Sequence, residues 1–69
     1  MKINTRNLEL AIAKSGMRSI KIQRSGKLSN ATLRRARRDS DYIPNLYTIG
    51  KLARVLGVDV EILVEEMET

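Results

Sequence analysis

The stretch IPNLYTIGKLARVLGVDVEILVEE, residues 43–66, contains the most regular pattern of apolar residues in the chain. Pro44 cannot lie inside a helix, and Asn45 directly after it is a favourable N-cap residue. Beyond Asn45 the apolar residues recur with the period of one helix face, which predicts a helix over about residues 46–56. Its buried stripe would comprise Leu46, Ile49, Leu52, Ala53 and Leu56.

The end of the same stretch predicts a shorter, last helix. Gly57 suits the left-handed residue that ends a helix, and Val58 would pack back against the helix that it follows. Asp59 is a suitable N-cap for a helix over about residues 60–67, because the apolar residues there recur three and four apart. Glu61, in its first turn, would interact favourably with the helix dipole.

Three further helices are predicted before Pro44. Apolar spacing and suitable caps predict the first over about residues 5–15 and the third over about residues 30–38. Between them a second helix is predicted over about residues 18–25, followed by a break at Gly26 and Lys27. Residues assigned to the core are Leu8, Ala11 and Ile12 in the first helix and Leu33 and Ala36 in the third; Asn4 or Thr5 would cap the first, Gly16 would end it, and Ser29 would cap the third.

No stretch alternates apolar and polar residues for long enough to predict a β-strand. The length of 69 residues fits one small domain. We therefore expect an all-α fold, a compact five-helix bundle that forms a single domain over residues 1–69.

The composition argues against several classes of function. The chain has no cysteine and no histidine, so it lacks thiolate ligands, the commonest zinc ligand and the usual general base. We therefore expect no enzymatic activity, no cofactor and no metal site. No apolar run approaches the ~18 residues that a membrane helix needs, and the N-terminus lacks a signal-peptide core. A cytoplasmic protein without membrane contact is expected.

The distribution of charge points to a polyanionic partner. All 13 lysines and arginines lie between Lys2 and Arg54, whereas five of the eight acids follow Val58. Nine basic residues and no acid lie between Leu10 and Arg38. A surface that serves only solubility usually mixes the two signs, so a block of one sign favours binding to a polyanion.

Several stretches resemble one family. Residues 43–66 are similar to the closing half of the small helix-turn-helix domains of the phage-repressor, Cro and XRE type. NLELAIAKSGM, residues 7–17, resembles the first helix of those domains, and LSNATLRRA, residues 28–36, resembles their turn and recognition helix. The resemblance implies a lambda-repressor-like DNA-binding domain and a transcriptional regulator of phage or bacterial type, with double-stranded DNA as its partner.

The resemblance also implies which residues would contact DNA. The recognition helix of the family enters the major groove with its first turn at the base edges. Arginine can bond guanine at two acceptors, asparagine can do so with adenine, and alanine can contact a thymine methyl group. Mapped onto this chain, base contacts would come from Asn30, Ala31, Arg34 and Arg35, and phosphate contacts from Arg18, Ser19, Lys21, Lys27, Arg37 and Arg38.

The chain departs from the family at several positions. An arginine in the first helix commonly pairs with a glutamate late in the third, but those positions hold Ile12 and Arg37 here, so that ion pair is not expected. The second helix has Gln23 where a small alanine is usual, and the loop before Pro44 contains two acids.

Alternative functions stay open at this point. A protein of the same fold can act as an antirepressor or antitoxin that binds a second regulatory protein, and the acidic loop and the acidic end of the chain favour that hypothesis. An arginine-rich RNA-binding protein is a third hypothesis. A homodimer, if formed, would use the helical domain itself, for instance its last helix.

Overall fold

A computed structural model describes residues 2–65 of the chain. This part of the chain contains four of the five predicted α-helices, and each of the four begins and ends within one residue of its predicted bounds. In chain order the elements are β1 (Lys2–Ile3), α1 (Thr5–Ser15), α2 (Ser19–Gly26), α3 (Asn30–Arg38), α4 (Leu46–Leu56), a 3₁₀-helix (Val60–Leu63) and β2 (Val64–Glu65).

Side-chain caps fix the start of three helices. Asn4 Oδ1 accepts a hydrogen bond from the backbone N–H of Asn7 at 3.0 Å, which confirms Asn4 as the cap of α1. Ser29 and Asn45 cap α3 and α4 in the same way, with bonds of 3.0 and 2.8 Å. At the fourth helix, α2, the N-cap position is Arg18, whose side chain makes no capping bond. The three side-chain caps therefore follow from local sequence, and Pro44 lies in the loop between α3 and α4.

The break between α2 and α3 differs in detail from the prediction. Gly26 remains helical, and the left-handed residue is Lys27, with φ 54°. Gly26 is favoured for another reason, since a Cβ added there would lie 3.0 Å from Cγ2 of Val55 on α4, a tight contact. The break is therefore made by Lys27, while Gly26 allows α4 to approach α2 closely.

The described chain is mostly helical, as predicted, but the prediction of a fifth helix is wrong, and a short pair of β-strands makes the fold not purely α. Asp59 precedes only a 3₁₀-helix and its side chain makes no capping bond. The chain then extends as β2, which pairs antiparallel with β1 so that Ile3 lies opposite Val64. Val60, Ile62 and Val64 are β-branched, which disfavours a longer helix and favours extended backbone. Residues 66 and 67 of the predicted helix lie outside the described residues.

The core lies where the four helices, the 3₁₀-helix and β1 meet. Its largest fully buried side chains are Ile3, Leu8, Ile22, Leu33, Ile49, Leu52 and Leu63. Every residue of the stripe predicted for α4 is buried except Leu46, which is 64% exposed. Leu46 occupies the first turn of α4 beside residues 25–27, where α2 ends, so no further turn of α2 covers it.

Candidate nucleic-acid interface

The side of α3 opposite the core presents a compact basic face. Leu33 and Ala36 of α3 are buried against the other helices. The opposite side consists of four exposed residues at positions i, i+3, i+4 and i+7, a spacing that places them on one face of a helix. We call this the outer face of α3; it comprises Ala31, Arg34, Arg35 and Arg38.

Two arginines of the outer face are not neutralised within the described structure. Neither Arg34 nor Arg38 forms an ion pair with any residue of the range 2–65. They lie four residues apart, about one helical turn, so their like charges are neighbours along the helix. The outer face therefore carries positive charge that a bound anion would stabilise.

Arg35 has contacts of its own within the protein. Its Nε lies 3.7 Å from Oδ2 of Asp39, and its guanidinium lies 4.7 Å from the centre of the Tyr42 ring. Because its side chain remains 64% exposed, water screens this pair strongly. Arg35, a predicted base contact, is thus oriented by Tyr42 and Asp39 but remains accessible to a ligand.

Asn30 is held by the preceding helix. Its Oδ1 accepts a hydrogen bond at 3.0 Å from Nε2 of Gln23, so the amide of Asn30 has a fixed orientation at the start of α3. Gln23 occupies the position at which the Cro and XRE domains that this chain resembles usually have a small alanine. Sequence reasoning noted Gln23 only as a departure and missed this positioning role.

Arg37 lies on a different side of α3 and is bound within the protein. Its Nε and Nη2 donate to the two carboxylate oxygens of Glu9, at 2.6 and 3.1 Å, and its Nη1 donates to Ser19 Oγ at 2.7 Å. These bonds join α1, α2 and α3. An ion pair therefore does link the first and third helices, but it joins Arg37 to Glu9, a pair that the sequence did not predict.

The Glu9–Arg37 pair changes the titration of both groups. The hydrogen bond from Arg37 lowers the pKa of the Glu9 carboxyl below its ordinary value, against the opposing effect of burial. The same hydrogen bond raises the pKa of Arg37. Glu9 lies one turn before Ile12, and it is the only acid before Asp39. The scarcity of acids was the signal that could have identified it.

The predicted contact residues fall into two groups in space. Ser19, Asn30, Arg34, Arg37 and Arg38 line one shallow groove of about 240 Å³ together with Glu9 and Leu33. Arg18 and Lys21 are exposed near the start of α2. Lys27 is also exposed but lies in the turn before α3, where its carbonyl oxygen is 3.4 Å from Nζ of Lys51 on α4. Lys27 therefore lines a different groove, between α2 and α4, from the one lined by the first group.

Comparisons with protein-family models, with curated proteins and with solved structures give no match to this chain. The resemblance to the Cro and XRE domains therefore depends on the residues themselves. In the range 2–65, the helices are all too short or too polar to cross a membrane. The same range contains no group of three acidic side chains arranged to hold a metal ion.

Proposed function

We propose that this protein is a sequence-specific DNA-binding regulator that inserts α3 into the major groove of double-stranded DNA. The observation that carries the proposal is the outer face of α3, which combines three arginines with the small side chain of Ala31. An α-helix fits the major groove of B-DNA, which is about 12 Å wide. The deep, narrow major groove of A-form RNA does not admit one, so DNA is favoured over duplex RNA.

Within this proposal, α2 and α3 act as a helix-turn-helix. The three residues 27–29 separate the two helices, a connection length found in such motifs. Arg34 and Arg35 would each bond guanine, Ala31 would contact a thymine methyl group, and Asn30 would bond adenine through the part of its amide not used by Gln23. The sequence read by the protein would then be concentrated at three or four base pairs per α3.

Phosphate contacts would come from residues beside the outer face. Arg38 lies near the end of α3, one turn beyond the proposed base contacts, and Arg18 and Lys21 are exposed on α2. Arg37 and Ser19 bond each other, and Arg37 also binds Glu9, so we assign them to holding the helices together. This assignment replaces the phosphate role first predicted for Arg37 and for Ser19.

The proposal is tested by selecting bound duplexes from a random pool and measuring affinity for the selected and scrambled sequences. Replacing Arg35 by alanine should cost ~1–3 kcal/mol on the selected duplex and relax the preference at its base pair. Arg38→Ala should weaken binding to both duplexes by a similar factor, because a phosphate contact carries no sequence information. Equal losses on both duplexes for Arg35→Ala would contradict its assignment to a base.

A protein-interaction role, as in an antirepressor or antitoxin, is the second candidate. It is favoured by Asp39, whose carboxylate lies beside Arg35 and would repel DNA phosphates near the end of α3. A gel-shift experiment with random duplexes and with the DNA flanking the protein's own gene distinguishes the two candidate functions. Absence of any duplex binding at ~50 mM salt would favour the protein-interaction role, since non-specific binding is strongest at low salt.

A further inference from the structure

A second groove lies between the end of α2 and α4, and no residue of α3 lines it. Its volume is about 440 Å³. Gly26 and Gly50 contribute no side chains to it, while Leu46 and Tyr47 stand at its edge, 64% and 73% exposed. Two large apolar side chains in sequence, both mostly exposed beside a groove, are characteristic of a surface that another protein covers.

The edge of this α2–α4 groove is basic. Its lining includes Lys27, Lys51 and Arg54 and, among the described residues, no acid. Lys51 is held in place: its Nζ lies 4.5 Å from the centre of the Tyr47 ring and 3.4 Å from the carbonyl oxygen of Lys27. An occupant that complements the groove would therefore present apolar side chains flanked by acids.

The chain itself contains a surface of that kind at residues 59–62, which we call the acidic segment. Asp59 and Glu61 are exposed there and alternate with Val60 and Ile62, which are also exposed although apolar. Within residues 2–65, neither acid takes part in an ion pair. The acidic segment is thus complementary to the α2–α4 groove: its charge is opposite, and it also presents apolar side chains.

The acidic segment cannot reach the Leu46 and Tyr47 edge of the groove in its own chain. It follows the end of α4 at which Arg54 lines the groove, whereas Leu46 and Tyr47 lie at the start of that helix, roughly 16 Å away for 11 residues. It is also fixed to α1, because the carbonyl oxygen of Ile62 accepts a hydrogen bond from Asn7 Nδ2 at 2.9 Å. The backbone N–H of Asn4 donates to the carbonyl oxygen of Leu63 at 2.8 Å, which holds the adjoining residue. Only another copy can supply the segment.

We propose that the α2–α4 groove of one copy binds the acidic segment of a second copy. Since the two surfaces are different, the contact is head-to-tail, and repetition of it produces an open chain of subunits unless the rotation closes a ring. The outer face of α3 takes no part in the contact. On DNA, whose phosphates offset the net charge of +5, such a contact would make binding at adjacent sites cooperative.

The head-to-tail arrangement is tested by mixing two variants in sedimentation velocity experiments without DNA. The wild-type protein should show a mass that rises with concentration from 7.8 kDa and passes beyond twice that value. Lys51→Glu removes a cation from the groove, and Glu61→Lys reverses the acidic segment, so each variant alone should remain a monomer. Mixed in equal amounts they should associate again, because the intact groove of Glu61→Lys binds the intact acidic segment of Lys51→Glu and the two reversed charges also attract each other.

Matched controls separate this contact from a general effect of charge. Lys14→Glu and Asp41→Lys make the same charge changes at exposed positions away from both surfaces, and they should associate like the wild type. Leu46→Gln, which alters an exposed side chain without changing charge, should weaken association at least tenfold while leaving the helical circular dichroism spectrum unchanged. A monomer at all concentrations to ~1 mM would overturn the proposal. A wild-type dimer of fixed size would also overturn it, as would a Lys51→Glu variant that associates like the wild type.

Discussion

The two sides of α3 use the same residue type in opposite ways. On the outer face, Arg34 and Arg38 form no ion pair with any described residue. On the side that faces α1 and α2, Arg37 donates three hydrogen bonds, two of them to one carboxylate. One sequence run, RRARR, thus supplies both a positively charged surface and a link between three helices.

The difference follows from helical phase. Arg37 is next to Arg38 in sequence but about 100° away around the helix, which turns its side chain toward Glu9. A run of arginines in a helix is therefore not one functional unit, and each member has to be assigned by the side on which it lies. We expect Arg37 to matter for stability and the outer arginines to matter for binding.

The largest effect on stability expected from this comparison is that of Arg37→Ala. It should lower the free energy of unfolding by roughly 0.5–1 kcal/mol, because the pair is bidentate but partly exposed to water. Arg38→Ala should leave the free energy of unfolding unchanged or raise it slightly, since it relieves repulsion. Urea denaturation of both variants checks this, and a double-mutant cycle with Glu9→Ala isolates the pair. A larger loss for Arg38→Ala would reverse the assignment of the two sides.

A smaller effect is expected from pH. The folded-state pKa of Glu9 is lowered from 4.5 by Arg37, so the pair stabilises the fold fully above that pH. The contribution is lost as the pH falls below about 4.5 through the folded pKa, where Glu9 becomes protonated. Glu9→Gln should therefore show a weaker fall in the free energy of unfolding over this range than the wild type. Identical pH profiles of the two proteins would show that the pair does not stabilise the fold.

Local sequence predicted most of the helices because their signals are local. The caps at Asn4, Ser29 and Asn45 each act within three residues, and the apolar stripe of α4 extends over only three turns. The failed predictions depend on distant residues. β2 forms because Val64 and Glu65 meet Ile3 and Lys2 at the other end of the chain, and short apolar spacing cannot reveal that pairing.

The candidate site was predictable in outline but not in its internal contacts. The exposed side of α3 follows from the positions of Leu33 and Ala36, so the outer face could be predicted from helical spacing. The engagement of Arg37 by Glu9, 28 residues away, and of Asn30 by Gln23 depends on how α1 and α2 pack on α3. The exposure of Leu46 likewise depends on where α2 ends, and the sequence of α4, which contains Leu46, holds no information about that end.

The salt dependence of duplex binding tests the central claim, that the outer face of α3 contacts DNA while Arg37 supports the fold. Fluorescence anisotropy with one labelled duplex would give the affinity of the wild type, Arg38→Ala and Arg37→Ala over a range of salt concentrations. The logarithm of the wild-type affinity should fall linearly with the logarithm of salt concentration, by ~0.9 for each phosphate contacted. Arg38→Ala should reduce that slope by ~0.9, and Arg37→Ala should leave it unchanged. A wild-type affinity independent of salt, or an equal reduction of the slope by both variants, would contradict the claim.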